Sequence, residues 1–174
     1  MTAAREVIAP SFMASLVESG NYAPAVRAGD FVYVSGQVGR DETMTAVTSS
    51  LDDHIEAVFR NLVAVLEASG CSVADVVELV SYHLDLAEQM PAFQAVKRRY
   101  FGDPATLPAW TAVGVAALNS PAFLVEVKAV DTLTDLHRVQ AQAAVRLSGL
   151  RLGLLINFNV FPVVKGVHRI GVKP

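Results

Sequence analysis

A chain of 174 residues, 52% apolar and 18% charged, is long enough to bury a core and too apolar to be disordered. Its single cysteine, Cys71, excludes a disulfide framework and a multi-cysteine zinc site, and points to a reducing compartment. The net charge of −3 is uneven: residues 1–130 hold 8 Lys and Arg against 15 Asp and Glu, whereas residues 131–174 hold 6 against 2.

The basic tail has scattered rather than clustered cations, so it does not read as a nucleic-acid patch. Residues 1–10 lack the apolar stretch of a secretory signal, and no run reaches the roughly 18 apolar residues of a membrane span. The expectation is a cytoplasmic protein with no membrane partner.

Residues 11–22 read as a turn or coil. Val26, then Phe31, Val32, Tyr33 and Val34, flank Gly29-Asp30 and predict a β-hairpin over 25–37. Ser35-Gly36-Gln37 breaks its second strand, and the polar run 39–50 reads as a loop. Asp53 and Glu56 have capping-box spacing, and Ile55, Val58, Phe59, Leu62, Val65 and Leu66 draw one helical stripe ending at Gly70. A strand follows over 76–84.

A second helix is predicted to open near Pro91, to bury Phe93, Val96 and Tyr100, and to stop at Gly102. Residues 110–117 and 122–130 then read as a hairpin-like pair around Asn119-Ser120-Pro121. The order β-β-α-β-α-β-β makes this an α+β domain, a mixed sheet with two helices on one face. Its other face needs cover, and self-association supplies it most simply. Residues 131–174 form an additional stretch: a helix capped by Asp135, a strand over 150–158 and a final run over 160–170. The apolar segment LGLLINF is expected to pack against something, because it is an aggregation hazard when exposed.

Three segments carry a family resemblance over residues 1–130. The run 22–39 (YAPAVRAGDFVYVSGQVG) resembles the opening hairpin of Rid (YjgF) proteins, a family of imine and enamine deaminases. Residues 54–86 resemble their first helix and central strand, and 100–130 their Phe-Gly to Pro-Ala segment and closing strands. The resemblance implies a chorismate-mutase-like domain, a homotrimer with ligand sites between subunits, and hydrolysis of small imines or enamines without metal or cofactor. In that reading Glu126 is the catalytic carboxylate, while Tyr22, Ser35, Gly36, Phe93 and Trp110 line the substrate pocket. Taken alone, Glu126 on an alternating strand faces either a cleft or solvent, and Ser35-Gly36 is equally a β-bulge.

One position departs from the family pattern. An Arg that grips the substrate carboxylate is replaced by Trp110 in Pro108-Ala109-Trp110, and a Trp makes no bidentate ion pair. Arg27 and Arg99 are the substitutes considered. A non-catalytic binding module, acting as sensor or scaffold, is the alternative function.

Residues 125–172 resemble instead the closing part of GxxExxY proteins, with VEVKAV leading to GLLINF. A fusion or frame-crossing at the shared strand accounts for such a tail. That resemblance raises a PD-(D/E)xK nuclease fragment as a remote alternative, with Glu126, Lys128 and Asp103 near a metal. The four histidines lack metal-ligand spacing, and Cys71 reads as a turn residue.

Overall fold

The structure, a computed structural model, describes residues 5–131 and the backbone of two further strands, Leu152–Ile156 and Val167–Gly171. The chain divides into two compact units, Met1–Thr132 and Leu133–Pro174.

The first unit is a six-stranded sheet in the order β1-β2-β3-β6-β4-β5. Its strands are β1 (Arg5–Ile8), β2 (Ala25–Ala28), β3 (Phe31–Val38), β4 (Val76–His83), β5 (Ala109–Gly114) and β6 (Val125–Asp131). Every neighbouring pair is antiparallel except β4 and β5, which are parallel. The α+β fold with a mixed sheet is therefore as the sequence indicates. The predicted hairpin of β5 and β6 is not formed, because β4 lies between them and pairs with both. Alternation within each strand was readable in the sequence, but partner choice depends on contacts distant along the chain.

Two long helices, α2 (Leu51–Ala68) and α3 (Leu86–Tyr100), pack into one core with Val32, Val34, Leu79, Val125, Val127 and Ala129 of the sheet. Helix α2 supplies the predicted stripe: Ile55, Val58, Phe59, Leu62, Val65 and Leu66 are all fully buried. Burial of each such side chain contributes roughly 1.5–3 kcal/mol. Phe59 is the hub, with ring centroids 5.4 Å from Phe93, 5.1 Å from Tyr100 and 6.2 Å from Phe101.

The helix starts differ from the sequence reading. Ser50, not Asp53, caps α2, its side chain accepting the Asp53 N–H, and Asp53 adds charge to the first turn. Helix α3 begins five residues before Pro91, at a cap formed by Asp85. Pro91 thus lies inside the helix, where it forfeits one backbone hydrogen bond that the early cap and the buried face of Phe93 and Val96 offset. Residues 11–22, read as coil, contain the short helix α1 (Ala14–Glu18), and β1 was not foreseen.

In the second unit, β7 (Leu152–Ile156) pairs antiparallel with β8 (Val167–Gly171). The helix expected after Asp135 lies outside the described residues. No helix among the described residues is long and apolar enough to cross a membrane.

Candidate functional site

The cleft is built where β3 breaks. Pairing between β3 and β6 shifts register between Val34 and Gln37, so Ser35-Gly36 forms a bulge. Tyr22, just before β2, reaches this bulge and donates its hydroxyl to the Gly36 carbonyl at 2.6 Å. The Gln37 side-chain amide in turn donates to the Tyr22 oxygen at 2.9 Å and to the Ser35 carbonyl at 3.1 Å. Burial pushes the Tyr22 phenol up to about 12, so it stays protonated and serves as a donor.

Glu126, on β6, lies directly over Gly36. A Cβ at position 36 would stand 2.1 Å from Glu126 Oε1, so only glycine admits the carboxylate there. Val125 and Val127 face the helix-side core, which turns Glu126 and Lys128 to the other face by strand alternation. Partial burial raises the Glu126 carboxyl above its ordinary value, while the Lys128 ammonium pulls it down by less. A carboxylate whose basicity burial raises is a better proton acceptor than a fully solvated one.

Tyr22, Gly36 and Glu126 share a cleft of about 340 Å³ with Gln37, Arg40, Asn61 and Asn119, and Met13, Leu16, Val38 and Met44 supply its apolar lining. That volume lies at the small end of ligand sites. Ser35 contributes its carbonyl to the Gln37 clasp but is not among the lining residues.

Phe93 corrects an expectation. It is fully buried, 5.5 Å from Trp110 and 4.8 Å from His83 by ring centroids, so it packs the core and is not among the residues lining the cleft of Glu126. Trp110 stacks on Phe93, donates its indole N–H to Ser81 Oγ at 2.9 Å, and carries Lys97 Nζ 4.6 Å from its ring centre. The indole is therefore held by contacts within its own chain. Neither residue joins Glu126 within one chain. The two substitute cations are engaged elsewhere: Arg27 pairs with Glu6 at 3.5 Å and with the Ser69 carbonyl, and Arg99 with Glu56.

The sequence pattern does not single out Arg40, Asn61 or Asn119. Asn61 is buried on α2 and donates to the carbonyls of Val38 and Arg40 at 2.9 and 3.0 Å, clamping the segment after the bulge. Arg40 directly follows the Ser-Gly-Gln-Val-Gly run and is the only cation between Arg27 and Arg60, a signal visible in the sequence but without a partner to interpret it.

The model of the endoribonuclease L-PSP family matches residues 13–132. The chain is 36% identical over 123 residues to the RutC family protein YjgH of Escherichia coli K12, covering 71% of this chain and 92% of that one. The chain belongs to the endoribonuclease L-PSP family.

The Rid (YjgF) resemblance of the three sequence segments thus stands at the level of the family. A 2-iminobutanoate/2-iminopropanoate deaminase of Dermatophagoides farinae is 39% identical over 100 residues, 57% of this chain and 76% of that protein. The solved structure of protein YJGH superposes with a TM-score of 0.66 at 35% identity, covering 73% of this chain and 95% of that one.

A model of the PD-(D/E)XK nuclease superfamily matches residues 117–170, under a third of the chain. Glu126 and Lys128 do share one face of β6, but Asp103 caps the turn after α3 through a bond to the Ala105 N–H. Among the described residues no three His, Cys, Asp or Glu side chains cluster as a metal site.

Proposed function

We propose that this protein hydrolyses small imines or enamines to the carbonyl compound and ammonia without a metal, in the cleft of Tyr22, Gly36 and Glu126. The observation that carries the proposal is the raised, partly buried Glu126 carboxyl seated on the Gly36 bulge. The deaminase named among the relatives supports the same chemistry.

In this mechanism Glu126 accepts a proton from a water as its oxygen attacks the electrophilic C=N carbon. The carboxyl returns that proton to the nitrogen. Glu126 then takes the hydroxyl proton of the carbinolamine and passes it to the amine, which leaves as ammonia as the oxygen becomes the carbonyl. Tyr22 fixes the Gly36 carbonyl while Gln37 fixes the Tyr22 oxygen and the Ser35 carbonyl, which holds the bulge in shape around the reacting centre. Assembly as a homotrimer is part of the proposal, with each cleft closed by a neighbouring subunit.

A second reading, a ligand-binding homologue without turnover, is favoured by one observation: Trp110 stands at the gripping position and its indole is held by Ser81 and Phe93.

The test is hydrolysis of freshly generated 2-iminobutanoate and 2-aminoacrylate by the natural protein, Glu126→Gln and Trp110→Arg. The expected result is turnover by the natural protein and a loss on the order of 10²–10⁴-fold in Glu126→Gln. Turnover confined to Trp110→Arg establishes that Glu126 is competent and that the natural protein serves another ligand. Inactivity of all three folded proteins leaves the binding module as the function.

A further inference from the structure

Arg40 is unusual among the cations of the described residues because it lines the cleft that contains Glu126 yet pairs with no carboxylate. Its backbone is held on both sides of the peptide, by its own N–H to the Val38 carbonyl at 2.9 Å and by Asn61 on its carbonyl. An antiparallel bridge to Ala46 holds the same residue. The guanidinium lies 4.8 Å from the centre of the Phe123 ring, and Phe123 is braced from behind by His54, with ring centroids 6.3 Å apart. Backbone and head group are thus both positioned before any ligand arrives.

The guanidinium is also incompletely satisfied. Its Nε is buried and has no hydrogen-bond partner among the described residues. Arginine presents its N–H groups as a planar fork, and with Nε buried the two terminal nitrogens are the donors left to face the two oxygens of an incoming carboxylate.

Two features fix the direction in which Arg40 acts. A second depression that Arg40 also lines carries Asp41 and Glu42 as well as Arg60, so negative charge is already supplied there. The cleft with Glu126 contains one cation and one carboxyl that are not ion-paired, and its remaining polar side chains, Ser19 and Asn21 among them, are neutral. An anionic substrate fits such a cleft with its negative group at Arg40 and its reacting carbon toward Glu126.

Building on the proposed deaminase reading, we infer that Arg40 is the substrate's carboxylate-binding residue, which replaces from within the same chain the grip that Trp110 does not provide. A carboxylated substrate is then held in preference to an uncharged one. The cleft volume of about 340 Å³ accommodates such a molecule.

The experiment is calorimetric titration of the full chain with 2-oxobutanoate, a stable carboxylated product, and with its neutral amide. The natural protein is compared with Arg40→Gln, Arg40→Ala and Arg40→Lys, each checked for an unchanged thermal transition. Arg40→Gln retains a side chain over Phe123 and is the decisive variant where Arg40→Ala fails to fold. The expected result is oxobutanoate binding that weakens at least tenfold in Arg40→Gln, partial retention in Arg40→Lys, and no change toward the amide. Imine hydrolysis then shows the loss in KM more than in kcat.

If oxobutanoate binds the natural protein and Arg40→Gln equally, or binds neither at millimolar concentration, Arg40 is not the anion site, whatever the hydrolysis result. Arg40-dependent binding without hydrolysis in the natural protein upholds the anion site while removing the deaminase reading. The two conclusions therefore fail separately.

Discussion

At the scale of single residues, the Glu126–Gly36 contact sets the strictest requirement. Gly36→Ala places a methyl carbon where Glu126 Oε1 lies, so the carboxylate must swing out of position. We expect hydrolysis to fall at least as far as in Glu126→Gln while the melting temperature changes by only a few degrees, because Gly36 has no left-handed φ to protect. A variant that keeps full activity shows that the carboxylate's seat on the bulge is irrelevant to the chemistry. The pH response follows from the same burial. With the Glu126 carboxyl raised above its ordinary 4.5, the acid limb of kcat/KM lies above that value, and activity grows as pH rises through it. An ionised, half-buried carboxylate also costs stability at neutral pH, so Glu126→Gln is expected to melt higher than the natural protein, the usual exchange of function for stability. A lower melting temperature in Glu126→Gln removes that account of the burial.

At the scale of elements, His54 ties three segments together. Its Nδ1 is 2.8 Å from the Val47 carbonyl and its Nε2 accepts the Leu124 N–H at 3.1 Å, which requires the neutral ring with its proton on Nδ1. Burial lowers its pKa below 6.5, and burial lowers that of His83 as well. The unfolded chain therefore binds more protons than the folded one as pH falls below about 6.5. Stability from both histidines is fully present above that value and is lost on acidification. Thermal melting between pH 7 and 5 should show the decline, and His54→Gln should flatten part of it; an identical slope in both proteins removes His54 from the explanation.

The same scale shows what was legible in the residues. The stripe from Ile55 to Leu66 and the Gly29-Asp30 turn are local signals, and both elements formed as read. Helix α3 was misplaced because Pro91 is a strong local marker, whereas the Asp85 cap becomes decisive only once Phe93 and Val96 have a core to enter. The site divided in the same way. Tyr22, Gly36 and Glu126 came from a family pattern, and they meet in one cleft. Phe93 was placed by that pattern too, yet its ring is taken up by Phe59, His83 and Trp110. Arg40 stands out in the sequence but has no meaning there, because that meaning comes from Asn61 and Phe123, which lie 21 and 83 residues away.

At the scale of the molecule, the sheet face away from the helices is the remaining unmet demand. Residues directly opposite one another on paired strands share a face. Val7 pairs with Val26, Val26 with Tyr33, and Tyr33 with Val130, so an apolar ladder crosses four strands. Val7 and Tyr33 are 44% and 46% exposed. Strand alternation places this row opposite Val32 and Val34, which belong to the helix-side core. An exposed apolar row of this kind, rimmed by Lys128, fits an interface between copies of the chain. The proposed trimer makes a direct prediction here. Tyr33→Lys introduces a charge into the centre of the ladder without touching the core, so light scattering should show the natural protein as a trimer and the variant shifted toward monomer. Because the cleft of Glu126 is proposed to be closed by a neighbour, hydrolysis in the variant should fall with the trimer fraction and recover at higher protein concentration. A fully active monomer in either protein means that one chain carries the whole site, and that the ladder serves a purpose other than completing it.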